Sequence, residues 1–314
     1  MTEADPQATF LMSTFNAGSF LRHAIESVLA QTDARWRLVV VDDGSEDGSA
    51  EVVSEYDDPR ITLVALERNV GQTAALNLGL DLIETPWVAR LDQDDMAAPD
   101  RLECQLAYLD AHPGTVLLGS WADFIDERGK TIGRWRPAAS PDQVRRGLYV
   151  RPCPLVHSAV IYRADVARSL GGYPIDFVYA QDLALWVAMD AVGTVAIVPR
   201  VLTYLRRHAQ QASRDPAAAA LQIGEALATT QTLPAELAGD RATRRAWRAR
   251  RLRLTAERVV VATRARDKGL ARRSALDALR LLAADPLALL AIAGLGARSA
   301  YRKAAGRISL GLGA

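Results

Sequence analysis

The fold this sequence predicts is a doubly wound α/β sheet, and two observations carry that prediction. Short apolar runs of strand length alternate with segments whose apolar residues recur at helical spacing, and the strand runs stop at turn or acidic clusters. With 314 residues, 49% of them hydrophobic, the chain can bury a large core as one big domain or as a domain with an appendage.

Residues Ala8–Thr14 read as a buried strand. Beyond it, Phe20/Leu21, Ala24/Ile25 and Val28/Leu29 recur every four residues and define one helix face. Leu38–Val41 is a β-branched run of the kind buried in a parallel sheet, and it stops at the turn cluster Asp42-Asp43-Gly44-Ser45. Ile61–Leu66 forms a third strand, Gly71–Ile83 a second helix and Trp87–Leu91 a fourth strand, which ends at Asp92, Asp94 and Asp95. Ligands of such sheets sit beyond the carboxyl ends of the strands, where Asn16, Asp43, Asp92 and Asp94 would converge.

Three carboxylates within four residues repel one another. A fold that gathers them at a strand tip calls for a hard, oxygen-seeking divalent cation such as Mg²⁺ or Mn²⁺; a solvated acidic turn capping a helix from Pro99 is the alternative. Neither glycine-rich phosphate loop, Gly-x-x-x-x-Gly-Lys-Ser/Thr or Gly-x-Gly-x-x-Gly, follows the first strand. Phosphate must be held another way, and a carboxylate-bound cation does that.

Taken together, Ser13-Thr-Phe-Asn16, Val41-Asp-Asp-Gly-Ser45, Asn69-Val-Gly71 with Asn77, Leu91-Asp-Gln-Asp-Asp95, Gly171-Gly-Tyr173, Gln181-Asp-Leu-Ala-Leu-Trp186 and Tyr204-Leu-Arg-Arg-His208 resemble the family-2 glycosyltransferases of GT-A fold. The resemblance spans about residues 8–210. It implies a Rossmann-like mixed sheet flanked by helices; beyond it, Arg- and Ala-rich sequence replaces strand-like alternation, so residues 211–314 read as a helical extension. It also implies inverting transfer of a sugar from a UDP-, GDP- or dTDP-linked donor to a saccharide or lipid-linked acceptor, in assembly of bacterial-type cell-surface polysaccharide or glycolipid.

Carried residue by residue, the resemblance places Ser13, Phe15, Asn16, Asp43 and Asn77 around the nucleotide, Asp92 near the ribose and diphosphate, and Asp94 on the metal. Asp182 resembles the catalytic base, although Gln181 stands before it where the family more often has Glu. Such a base suits a reaction in which the acceptor hydroxyl must lose its proton. Each residue also has a plainer reading. Asp43 suits a turn, Asp182 suits a helix N-terminal cap, and His157 and Trp186 suit the core as well as an acceptor pocket. Arg206 and His208 would steady the diphosphate from a closing loop, or form a solvated basic turn.

The net charge of +1 conceals an asymmetry: residues 241–314 hold 18 Lys and Arg against 4 Asp and Glu, a balance of +14 that leaves −13 on residues 1–240. Leu233–Lys268 reads as one long basic helix and Leu270–Ala284 as another. Pro286–Leu295 is apolar but too short to span a bilayer. An element lying on an anionic membrane fits this tail, as does a helical appendage packed on the catalytic domain or on a second copy. Nucleic acid fits poorly, because the acidic region would repel it. Cys104 and Cys153 lie far apart and the first residues lack a signal-peptide pattern, so a cytoplasmic setting, with or without peripheral membrane contact, is expected. A nucleotidyltransferase and a non-catalytic carbohydrate-binding or scaffold protein are the competing functions; the first usually needs a basic glycine loop, and the second does not need both Asp94 and Asp182.

Overall fold

A computed structural model of the chain describes residues 5–150, 152–208 and 216–284. The chain divides into two units, Met1–Leu148 with Pro152–Ala212, and Tyr149–Arg151 with Ser213–Ala314.

The first unit is built on a sheet ordered β3-β2-β1-β4-β8-β6-β9-β5, with β7 added to β6. Its first four strands are β1 (Ala8–Thr14), β2 (Trp36–Asp42), β3 (Ile61–Ala65) and β4 (Trp87–Arg90), and all pair in parallel. Every residue of β1 is buried, as expected of a central strand covered on both faces. Helix α1 (Phe20–Leu29) buries Leu21, Ala24, Ile25 and Val28, the face marked by its four-residue repeat. Helices α2 (Ser49–Ser54) and α3 (Gln72–Asp81) complete this half. Because the chain steps outward from β1 through β2 to β3 and then returns to β4 on the other side, the order reverses beside β1. A ligand crevice belongs there.

The remainder of the sheet is mixed. After β5 (Met96–Ala97) come α4 (Arg101–Ala111), β6 (Thr115–Ile125), β7 (Thr131–Trp135), α5 (Pro141–Val150), β8 (Ile161–Arg163), α6 (Ala164–Ser169), α7 (Gln181–Asp190) and β9 (Thr194–Arg206). β8 runs antiparallel to both β4 and β6, whereas β9 runs parallel to β6. The two-residue β5 pairs with Thr203 and Tyr204 of β9, which draws the acidic loop against the end of that strand. This is the mixed sheet that the resemblance implies.

The turn after β2 depends on Gly44. Its φ is +73°, and a Cβ there would lie 2.6 Å from the Arg68 main chain, so only glycine lets the two loops approach.

In the second unit α10 (Arg241–Arg264) packs against both α8 (Pro216–Thr229) and α11 (Lys268–Ala284). The single helix expected over Leu233–Lys268 is interrupted: α9 (Ala235–Ala238) ends at Gly239, and the Asp240 carboxylate caps α10 by accepting from the amides of Ala242 and Thr243. Among the described residues no helix is long and apolar enough to cross a membrane. The apolar Pro286–Leu295 segment and the basic residues after it lie outside the described residues.

Candidate active site

The site is assembled at the carboxyl ends of β1, β2 and β4. Ser13 is buried at the end of β1, and Phe15 just beyond it is 44% exposed. The Phe15 amide donates to Gln93 Oε1 at 2.8 Å, tying the first loop to the acidic loop. Asn16 adopts φ +48°, which asparagine tolerates better than most residues. Its amide donates to Ser45 Oγ at 2.9 Å and its Oδ1 accepts from the Glu46 amide at 3.0 Å, so it stitches the first loop to the turn after β2. Asp43 is buried, and its carboxylate accepts from the amides of Val70 at 2.6 Å and Gly71 at 2.9 Å, which anchors the entry to α3. Each oxygen keeps a lone pair for a further donor.

The three acidic residues have three different environments. Asp92 pairs with the fully buried Arg90 and accepts from the Ser158 hydroxyl at 3.1 Å. Burial favours the neutral acid, but Arg90, with His157 and Ser158, outweighs it and holds Asp92 below the usual carboxylate range. Asp94 Oδ2 lies 2.8 Å from His208 Nε2. Burial, then the charge of Asp92, pushes Asp94 up against the opposing pull of His208. Asp95 is the most buried of the three and accepts from the Arg206 amide at 2.8 Å; burial and its two acidic neighbours drive it well above the ordinary value.

Among the described residues no three His, Cys, Asp or Glu side chains form a ready-made metal cage. A divalent ion that shares substrate phosphates needs only one or two protein carboxylates. The donor set suits such an ion. Asp94 and Asp92 supply hard oxygens whose mutual repulsion a cation would relieve, and His208 adds an imidazole whose buried Nδ1 has no partner among the described residues.

Asp182 sits in the first turn of α7, where its Oδ1 accepts from the Leu183 amide at 2.7 Å. Burial is the main cause of a rise to about 6, and the charge of Asp92 adds to it while Arg90 opposes. Asp182 and Asp92 therefore lie within one electrostatic field. Gln181 beside it donates to Gln72 Oε1 at 3.0 Å, while its own buried Oε1 has no partner among the described residues.

Four expected ligands have other tasks. Arg206 is 2% exposed, and its guanidinium donates to the main-chain carbonyls of Asp94, Asp126 and Glu127, so it holds the acidic loop from beneath and not a diphosphate from above. Asn77 clasps the Tyr173 main chain, donating to its carbonyl and accepting from its amide, both at 2.8 Å. The adjacent Gly172 has φ +71°, and a Cβ there would meet Asn77 Oδ1 at 2.5 Å. Trp186 is 0% exposed and cannot stack on an acceptor sugar. The His157 ring bonds the Tyr173 hydroxyl at 3.1 Å and lies edge-on to Trp186; burial and Arg90 lower its pKa to about 3, so it stays neutral inside an aromatic cluster.

Sequence reasoning passed over the groups that hold Asp92. Arg90 was the available signal, since a cation inside an apolar strand needs an acid and Asp92 is two residues away. Arg101, fully buried and lowered to about 9 mainly by burial, braces the same region by donating to the carbonyls of Ser158, Arg90 and Val160. Ser158 itself has no local signature.

The sequence pattern of glycosyl transferase family 2 matches residues 9–170. The amylovoran biosynthesis glycosyltransferase AmsE of Erwinia amylovora is 33% identical over 190 residues, covering 60% of this chain and 70% of AmsE. The succinoglycan biosynthesis protein ExoO of Rhizobium meliloti is 41% identical over 160 residues, covering 51% of this chain but only 44% of ExoO. In fold, the chain is similar to the mannosyltransferase PcManGT of Pyrobaculum calidifontis in complex with GDP-Man and Mn²⁺, with a TM-score of 0.57, 18% identity, and coverage of 93% of this chain and 80% of that one. A match that takes in more than half of the chain and runs through the strand ends carrying Ser13, Asp43, Asp92 and Asp94 places this protein in glycosyl transferase family 2.

Proposed function

We propose that the chain moves a sugar from a nucleoside-diphosphate sugar to an acceptor hydroxyl with inversion at the anomeric carbon, in the assembly of a cell-surface polysaccharide or glycolipid. The observation that carries the reading is the electrostatic contrast between two carboxylates of one site. Asp94 sits among acids beside an imidazole, whereas Asp182 forms no ion pair among the described residues and is raised to about 6. The names of AmsE and ExoO support the polysaccharide setting, and the complex of PcManGT supports a nucleotide-sugar donor and a divalent cation.

In this reading Phe15 offers its exposed ring to the base, while Ser13 and Asp43 shape the wall of the nucleotide pocket. Asp94 and His208 would hold a divalent cation with Asp92 beside it, and the cation would neutralise charge developing on the leaving diphosphate. The acceptor oxygen attacks the anomeric carbon as the bond from that carbon to the diphosphate oxygen breaks, and the bonding pair leaves with the nucleoside diphosphate. Asp182 takes the hydroxyl proton. Its raised pKa makes it a stronger base than an ordinary carboxylate, yet leaves it mostly ionised at neutral pH. One displacement with one base inverts the configuration.

The basic second unit supports work at the inner face of the cytoplasmic membrane, beside a lipid-linked acceptor. The test is to incubate the protein with a panel of nucleotide sugars, acceptor saccharides and Mn²⁺ or Mg²⁺. Metal-dependent release of nucleoside diphosphate without pyrophosphate is expected. Pyrophosphate release would point to nucleotidyl transfer, and binding without turnover across the panel would point to a carbohydrate-binding protein.

A further inference from the structure

The helical unit carries a cavity that sugar transfer does not use. Helices α8, α10 and α11 line a half-open cavity of about 410 Å³, within the range of small-ligand sites. Its charged lining is Arg251, Arg258 and Arg280 against one acid, Asp277. Asp277 is bonded to Arg280 at 3.1 Å, and among the described residues neither Arg251 nor Arg258 has an acidic partner. Arg251 is held in place by the carbonyls of Leu227 and Thr230, each accepting from its Nη1 at 3.1 Å. Burial pushes this guanidinium below its ordinary value, the direction expected of a cation kept without a counter-ion.

Three further features of the lining point to a ligand. Ser274 is 1% exposed, and among the described residues its hydroxyl makes no hydrogen bond. Arg258 Nε is likewise buried and has no partner among the described residues. Buried donors without acceptors are unfavourable, and the residues that carry both of these line the same cavity. The third is Gly224, in the interior of α8, where glycine is disfavoured. A Cβ at that position would lie 2.6 Å from Arg258 Nη2, so the glycine leaves the space that the guanidinium occupies.

We propose that this cavity binds a phosphate or diphosphate group borne by a larger molecule. Such an anion presents several acceptor oxygens to forked guanidinium donors, and it would supply the charge that the lining lacks. The site goes beyond the transfer reaction, because all of its residues belong to the second unit.

The full chain would be titrated calorimetrically with inorganic pyrophosphate at fixed ionic strength, in chelator to suppress metal-dependent binding elsewhere. Saturable binding is expected. Arg258→Gln and Gly224→Ala should each weaken it about tenfold or more, the scale of one lost charge-assisted hydrogen bond, while Asp94→Ala leaves it in place. Alanine favours the helix and meets only the movable end of Arg258, so a melting temperature of Gly224→Ala close to the parent's separates lost binding from a folding failure. Vesicles of phosphatidylcholine doped with phosphatidic acid or with phosphatidylglycerol, matched in surface charge, separate the two sources. Preference for phosphatidic acid assigns the site to a lipid phosphate headgroup, and pyrophosphate binding without that preference assigns it to a soluble phosphorylated molecule. No pyrophosphate binding by the parent chain, or binding that both variants retain, overturns the proposal, as does loss in Asp94→Ala alone.

Discussion

His208 Nε2 lies 2.8 Å from Asp94 Oδ2, a contact between residues 114 apart in the chain. It exists because β5 pairs with the end of β9, and because Arg206, two residues earlier, fastens its guanidinium to the Asp94 carbonyl. The loop and the strand end are thus held together, and in the proposed function they would act as one donor set. His208→Ala and Asp94→Ala should each weaken metal-dependent donor binding, and chelation should weaken binding to the parent protein in the same way. Calorimetric titration of a nucleotide sugar, with and without Mn²⁺, checks this; donor affinity unchanged in chelator would remove the cation from the account.

Asp182→Asn should lower turnover by about 10²–10⁴, the usual scale of a lost general base, with donor affinity largely kept. The pH profile of the parent enzyme should show kcat/KM falling as pH drops through about 6, because protonation there consumes the base. A near-normal rate in the Asn variant would move the base elsewhere.

The same residue affects stability with a definite sign. Its carboxyl is raised in the fold from an ordinary value of 3.8 to about 6, so the native state binds the proton more tightly than the unfolded chain. Stability from this group is therefore greatest at low pH and is lost as pH rises between about 4 and 6. Asp182→Asn should raise the melting temperature at pH 7.5, and the gain should shrink toward pH 4.5. Scanning calorimetry at the two values decides it. A gain that is absent at pH 7.5, or constant with pH, would contradict the assignment.

Arg90 should be structural in effect although it belongs to the site. Its guanidinium is fully buried, bonded to Asp92 and to the carbonyls of Leu11 and Leu91. Arg90→Met leaves the Asp92 carboxylate without its cation and should destabilise the fold by about 3–5 kcal/mol, as removal of one partner of a buried pair does. Adding Asp92→Asn should recover part of that loss. Urea unfolding of the two variants measures both effects, and an additive double variant would show that the pair is uncoupled.

The parallel half of the fold was legible because its signals are local. β-branched runs and a four-residue apolar repeat read directly as β1 to β4 and α1, and the acidic cluster read as a strand-end site. The mixed half was not legible from residue patterns, since β5 has two residues and β8 three, too short for periodicity, and only the family resemblance anticipated it. Site residues failed where burial decides the role. Arg206, Asn77 and Trp186 carry side chains able to bind a substrate, but long-range contacts commit them to Asp94, Tyr173 and the core. Nothing local distinguishes a guanidinium facing a phosphate from one facing three carbonyls.

The strongest sequence asymmetry, +14 on residues 241–314, yields the last prediction. α10 and α11 present Arg245, Arg264 and Arg272 at exposed positions, while Val260, Leu276 and Leu279 are exposed apolar residues on the same two helices. Clustered Lys and Arg near an anionic surface contribute about 1 kcal/mol each, and shallow insertion of apolar side chains adds to that. The protein should float with vesicles containing anionic lipid, remain behind with neutral ones, and detach as salt shortens the screening length. Removing residues 286–314 takes away the apolar run Pro286–Leu295 together with Arg298, Arg302, Lys303 and Arg307, and should weaken flotation without abolishing it, since the basic residues of α10 and α11 remain. Equal partitioning of the full and shortened chains on both vesicle types, or none on either, would assign the basic tail to packing on protein instead.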